Sequence, residues 1–209
     1  MNKAKQEIMD RIRAAGDIPA HEVPREYHMA GAGSREEILH EMVVALEDYT
    51  AIVTRVAPDG IEEAIDAMLE GLTSVVVPPG LEQSWKDAAA RRGRDVRVDA
   101  PPLSKDELDS TDAVVTASRV GVSLSGTIML DGEPDQGRRA ISLVPDTHIV
   151  VLEADAIKAT LPEAVKVLEE NPLRPTTWIA GPSATSDIEL VRVDGVHGPR
   201  NLRVIIVER

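Results

Sequence analysis

The chain has 209 residues, 43% of them hydrophobic, which suits one sizeable domain with a closed core. Its 36 acidic side chains outnumber 23 basic ones, giving a formal net charge of −13, and only Trp85, Trp178, Tyr27 and Tyr49 are aromatic. Such a chain repels phosphate backbones and lacks platforms for base stacking, and its want of cysteine excludes disulfides, thiolate catalysis and cysteine-held iron–sulfur clusters.

Residues 3–15 predict an amphipathic helix, with Ile8, Ile12 and Ala15 on one face and Gly16 as its stop. The stretch that follows contains Pro19, Pro24, Gly31 and Gly33 and reads as an irregular arm. We therefore divide the chain into an arm, residues 1–33, and a domain, residues 34–209. The domain opens with Ser34 and Glu37 at capping-box spacing, before a helix with Leu39, Met42, Val43 and Leu46 at core intervals. Strand and helix then alternate: AIVTRV, the helix IEEAIDAMLEGL, SVVVP, a helix around Trp85, and DVRV. Short Val/Ile runs between helices predict a mostly parallel sheet covered on both faces, an α/β fold of three layers, α/β/α.

A second capped turn, Ser104 to Glu107, marks a change of pattern. DAVVTAS, VSLSGTIML, ISLVP and HIVVL read as strands with no space for helices between them, so an inserted antiparallel section is expected. DGEPDQGRR is its polar loop at one tip. A helix from about Ala154 to Glu170, the strand TTWIAG and the strand LRVIIVE complete the chain. No apolar run has the length of a signal peptide or membrane span, so a cytoplasmic protein without membrane insertion is expected.

Walker-A, GxGxxG, HExxH and GxSxG motifs are all missing. Chemistry-bearing groups gather instead near the carboxyl end. Gly181 and Pro182 make a turn after a strand, and Ser183, Thr185 and Ser186 supply hydroxyls beside free amides. These hydroxyls either cap a following helical turn, with Glu189 closing a box from Ser186, or help hold a carboxylate or phosphate. Asp187 and Glu189 would share one face of a strand and could divide acid and base roles, or they are solvated or capping carboxylates. His197, beside Gly198, is either a proton shuttle or a tether for backbone. His148 begins a strand and reads as structural, His40 as solvated, and His21 and His28 lie in the arm without visible co-ligands, so no metal is expected.

Three stretches carry a resemblance: SLSGTIML (Ser123–Leu130), ISLVPDTHIVVL (Ile141–Leu152) and IAGPSATSDIELVRVDGVHGPRNLRVIIV (Ile179–Val207). Together they resemble the LUD domain of lactate-utilisation proteins, in particular the stand-alone C type, over roughly residues 34–209. The spacing GPS-x-T-x-DIE followed by GVHGP is the most specific part. The resemblance implies the NagB/RpiA/CoA transferase-like fold of sugar-phosphate isomerases and coenzyme A transferases. It also implies a place in a three-component system oxidising L-lactate to pyruvate, where iron–sulfur clusters sit on separate partner proteins and this chain carries no cofactor.

Two departures from the family pattern bear on chemistry. Leu124 and Ser125 replace the glutamate and threonine that many LUD domains place before the glycine corresponding to Gly126, and leucine forms no acyl anhydride. Covalent transferase chemistry is therefore not expected, although Ser125, Gly126 and Thr127 remain candidates for a turn beside a pocket. Ala184 stands where many relatives have arginine, which removes a bidentate anion ligand. The expectations are thus a subunit acting with iron–sulfur proteins, a pocket for an anionic metabolite such as a sugar phosphate, coenzyme A ester or folate, or loops that only close the domain.

Overall fold

The computed structural model describes residues 3–16, 22–185, 193–194 and 197–209. The first helix, α1 (Lys3–Ala14), forms as its periodicity predicts, but it buries no residue, and Ile8 and Ile12 stay exposed. Helix α2 (Arg35–Asp48) begins at the predicted capping box: the Glu37 amide donates to Ser34 Oγ, and the Ser34 amide donates to the Glu37 carboxylate at 2.7 Å. Its Leu39, Met42 and Leu46 are buried and Val43 is half-buried.

The body of the molecule is a six-stranded sheet. Along the chain come β1 (Ile52–Val56), α3 (Ile61–Met68), β2 (Ser74–Val77), α4 (Gln83–Ala89), β3 (Asp95–Val98), α5 (Lys105–Asp109) and β4 (Ala113–Thr116). Strands β5 (Val120–Val122) and β6 (Thr127–Leu130) follow, and then β7 (Thr147–Glu153), β8 (Ile157–Lys158), α6 (Leu161–Leu168) and β9 (Thr177–Ala180). Short strands β10 (Ala184–Thr185) and β11 (Val193–Asp194) precede β12 (Asn201–Val207). The large sheet runs β1-β12-β7-β4-β2-β3, with every pairing parallel.

One face of this sheet is covered by α3 and α4, whose Ile61, Ile65 and Met68 pack on Val75, Val77, Val115, Ile149 and Ile205. The other face, with Val150, Leu152, Leu202, Val204 and Ile206, packs against α2 and against Ile128 and Leu130 of a smaller sheet. That smaller sheet has the order β8-β5-β6-β9, and α6 backs its outer side through Ala164 against Val120, Val122 and Met129. Each aliphatic side chain so buried contributes about 1.5–3 kcal/mol, which is how a core without phenylalanine suffices.

Five segments differ from expectation. VSLSGTIML is not one strand: a 3-10 turn at Ser123–Ser125 and left-handed Gly126 (φ +59°) fold it into the hairpin β5–β6. ISLVP is a series of turns rather than a strand, because Ile141 is pulled into a cluster with Val76, Leu108 and Val114. HIVVL joins the parallel sheet between β12 and β4 instead of a hairpin. The helix expected from Ala154 is shorter, because Ala154–Ala156 form a 3-10 turn and Ile157–Lys158 pair with β5 before α6 starts. DGEPDQGRR, expected as a solvated tip, lies across the carboxyl ends of β2 and β4. There the Gly80 amide donates to Pro134 O, the Ala117 amide donates to Asp135 O, and Gln136 is buried.

Candidate functional site

Strand β9 is an edge of the small sheet, pairing among the described residues with β6 alone. Its far end turns at Gly181, whose φ is +76° and where a Cβ would stand 2.6 Å from the Cβ of Tyr49, so the turn and its seat on α2 require glycine. The turn directs Pro182 and Ser183 towards the segment before β12. The Ser183 amide donates to Pro199 O at 2.8 Å, and the His197 amide donates to Ser183 Oγ at 3.1 Å. Gly198 lies in ordinary contact with Ser183. The same segment is anchored below by Arg200, paired with Asp146 at 2.8 Å, and by the Asn201 amide on Asp146 O.

These groups bound a cleft of about 320 Å³, walled by β9 on one side and by the beginnings of β7 and β12 on the other. Gly181, Pro182, Ser183, His197 and Gly198 line it, together with Arg139, Ser142, Leu143, His148, Trp178 and Leu202. A neighbouring cavity of about 600 Å³ shares Arg139, Ser142 and Thr177 and continues past Asp99, Asp131 and Arg174. The two form one trough with Arg139 at the junction.

His148 is the most constrained polar group here. It is fully buried, one ring nitrogen (Nε2) lies 2.8 Å from Thr116 Oγ1, and Nδ1 has no hydrogen-bond partner among the described residues. Burial pushes its pKa down to about 3, so the imidazole is neutral at any physiological pH. Its strand-start position fits the structural role read from sequence, and its place in the cleft wall adds a second one. Ser142, also buried, donates its hydroxyl to Arg139 O and so braces the turn that carries the guanidinium. In the adjoining cavity, burial works against the charge of Asp99, yet Arg138 (2.6 Å) and the Leu103 amide (2.8 Å) hold its carboxyl below the ordinary range.

The candidates read from sequence thus divide. Gly181, Pro182, Ser183, His197 and Gly198 come together in the cleft. Ser125, Gly126 and Thr127 do not line it. The Ser125 and Thr127 hydroxyls bond each other at 2.8 Å, and Gly126 packs on the α2 backbone, where a Cβ would lie 3.0 Å from the Ala45 carbonyl carbon. Thr127 comes nearest, paired in register with Ala180. Thr185 lies on β10, which pairs with β11. Ser186, Asp187 and Glu189 lie outside the described residues. The sequence does not single out Arg139 or Ser142, and it marks His148 as structural only. Only the paired arginines ending DGEPDQGRR hinted at the first, and no spacing marks the others.

An α/β domain with a wholly parallel central sheet and a trough beside a mixed second sheet is what the geometry defines. Residues 42–207 match the model of the LUD domain, and the chain belongs to that family. It is 44% identical over 207 residues to lactate utilization protein C of Deinococcus radiodurans, covering 98% of this chain and 96% of the relative. Lactate utilization protein C of Bacillus subtilis is 33% identical over 99 residues, 44% of this chain and 41% of that one. An uncharacterized protein of Neisseria meningitidis is 25% identical over 98% of this chain and 93% of its own length. The crystal structure of a DUF162 family protein from Deinococcus radiodurans superposes with a TM-score of 0.74 at 42% identity, covering 85% of this chain and all of that one.

Proposed function

We propose that this chain is a cluster-free component of a cytoplasmic system that oxidises L-lactate to pyruvate, acting beside separate iron–sulfur proteins. The observation that carries the reading is the 44% identity to a lactate utilization protein C over nearly the full length of both chains. Its composition is compatible with this: with no cysteine, the chain offers no thiolate for a cluster, and in this reading the iron–sulfur clusters sit on the partner proteins. Among the described residues no helix is long and apolar enough to cross a membrane. Deleting the gene should abolish growth on L-lactate as sole carbon source while sparing growth on pyruvate. Affinity-tagged chain purified from lactate-grown cells should carry iron and acid-labile sulfide in stoichiometric amounts through its partners. Normal growth of the deletion strain on L-lactate would overturn the reading.

A further inference from the structure

In this acidic chain the arginines are mostly spoken for. Arg55 is held by Glu36 and Glu208, Arg94 by Asp66, Arg138 by Asp99, and Arg174 by Glu133. Arg139 differs. It is exposed, and it forms no ion pair or side-chain hydrogen bond with any of the described residues. Its carbonyl accepts from buried Ser142, and the residue lines both the cleft and the adjoining cavity. In the cleft, whose lining holds no carboxylate, a free guanidinium selects an anion, and its planar fork matches a carboxylate.

His148 bears on the charge of the same wall. It is one of the residues bounding the cleft, its imidazole fully buried and its Nδ1 without a partner among the described residues, an exception to the rule that buried polar groups are satisfied. Held neutral by burial, with Nε2 engaged by Thr116, it adds no charge there. Ser183 Oγ, which accepts from the His197 amide, keeps its own proton to donate.

We propose that the cleft binds a small carboxylic acid anion bearing a hydroxyl or keto oxygen on the adjacent carbon, with Arg139 on the carboxylate and Ser183 on the adjacent oxygen. The choice of a 2-hydroxy or 2-oxo acid rests on the lactate-system reading above; the anion site itself rests on Arg139 and on a cleft lining that holds no carboxylate. One cation accounts for one carboxylate, and the uncharged groups beside it fit an oxygen that is itself uncharged.

Titration calorimetry of the full chain with L-lactate, pyruvate, propionate and inorganic phosphate addresses this directly. L-lactate or pyruvate should bind at least ten-fold more tightly than propionate, which lacks the second oxygen, and more tightly than phosphate. Arg139→Gln, a change at an exposed position, should weaken binding ten-fold or more without shifting the melting temperature of the free protein. Ser183→Ala should reduce the preference over propionate while retaining carboxylate affinity. Tighter phosphate binding, equal affinity for propionate and lactate, undiminished binding by Arg139→Gln, or no binding of either acid at 50 mM would each overturn the proposal. Absent binding combined with a deletion strain that fails on L-lactate would sink the site and leave the pathway reading standing.

Discussion

At His148 the cost of the cleft is measurable. The ring titrates near 6.5 in an unfolded chain and near about 3 in the fold, so unfolding takes up a proton at any pH between those values. Stability is therefore full above 6.5 and falls as the solution is acidified towards 3. At pH 5 the loss is on the order of 2 kcal/mol. Urea titrations at pH 7 and pH 5 should show it for the native chain, and the difference should shrink by a similar amount in His148→Gln. An unchanged pH dependence in that variant would mean the ring is not held neutral. Gly181 gives a steric counterpart. Gly181→Ala combines a left-handed backbone with a contact on the Tyr49 Cβ and should cost roughly 2–4 kcal/mol. Gly71→Ala, equally left-handed at φ +79° but with open space around it, should cost only about 1–2 kcal/mol.

Among the elements, the best-tied are those where a charge has been taken inside. Arg94 is almost wholly buried: its Nη1 meets the Asp66 carboxylate of α3 at 2.8 Å and donates to the Ala89 and Arg91 carbonyls, while Nη2 donates to the Asp66 carbonyl. This single side chain fastens α3, the end of α4 and the approach to β3. Asp66→Ala leaves the guanidinium buried without its counter-charge and should lower the midpoint of chemical denaturation more than loss of a surface pair such as Arg200–Asp146 does. Ser104→Ala, which removes the cap of α5, should cost about 1 kcal/mol by the same measurement.

How far the sequence reveals these elements follows from their physics. The capping boxes at Ser34 and Ser104 and the alternation from Ile52 to Val98 are local signals, and each appears where it was read. Within Val120–Leu152 the antiparallel hairpin β5–β6 agrees with the sequence, whereas ISLVP and the pairing of HIVVL do not, because aliphatic runs such as ISLVP suit a strand, a turn or a plug equally well. Ile141 settles there through contact with Val76, Leu108 and Val114, residues distant in sequence. For the cleft, the GPS and VHGP segments declared themselves by unusual spacing. Arg139 and His148 did not, since what distinguishes them is the partner each lacks, and that is a property of the assembled fold.

For the whole molecule, α1 is peripheral by every physical measure described. Among the described residues it buries nothing, and the arm meets the body where the Gly31 amide donates to the Glu163 carboxylate and Gly31 lies against Ala159. Removing residues 1–16 should therefore leave the thermal midpoint within about 2 °C, because a helix without buried apolar area contributes little to stability. A drop of ten degrees in scanning calorimetry would show that the helix seats on the domain after all.

The place of β12 has a consequence for how the chain is made. It follows every other described strand in the sequence and yet lies second in the sheet, and among the described residues β1 pairs with it alone. During vectorial synthesis β1 and α2 emerge early and must wait, with Ile52–Val56 unpaired, until some 150 later residues have left the ribosome. A nascent chain stalled before Asn201 therefore exposes a bare parallel edge, and it is at this stage, rather than in the finished protein, that holding chaperones have most to protect.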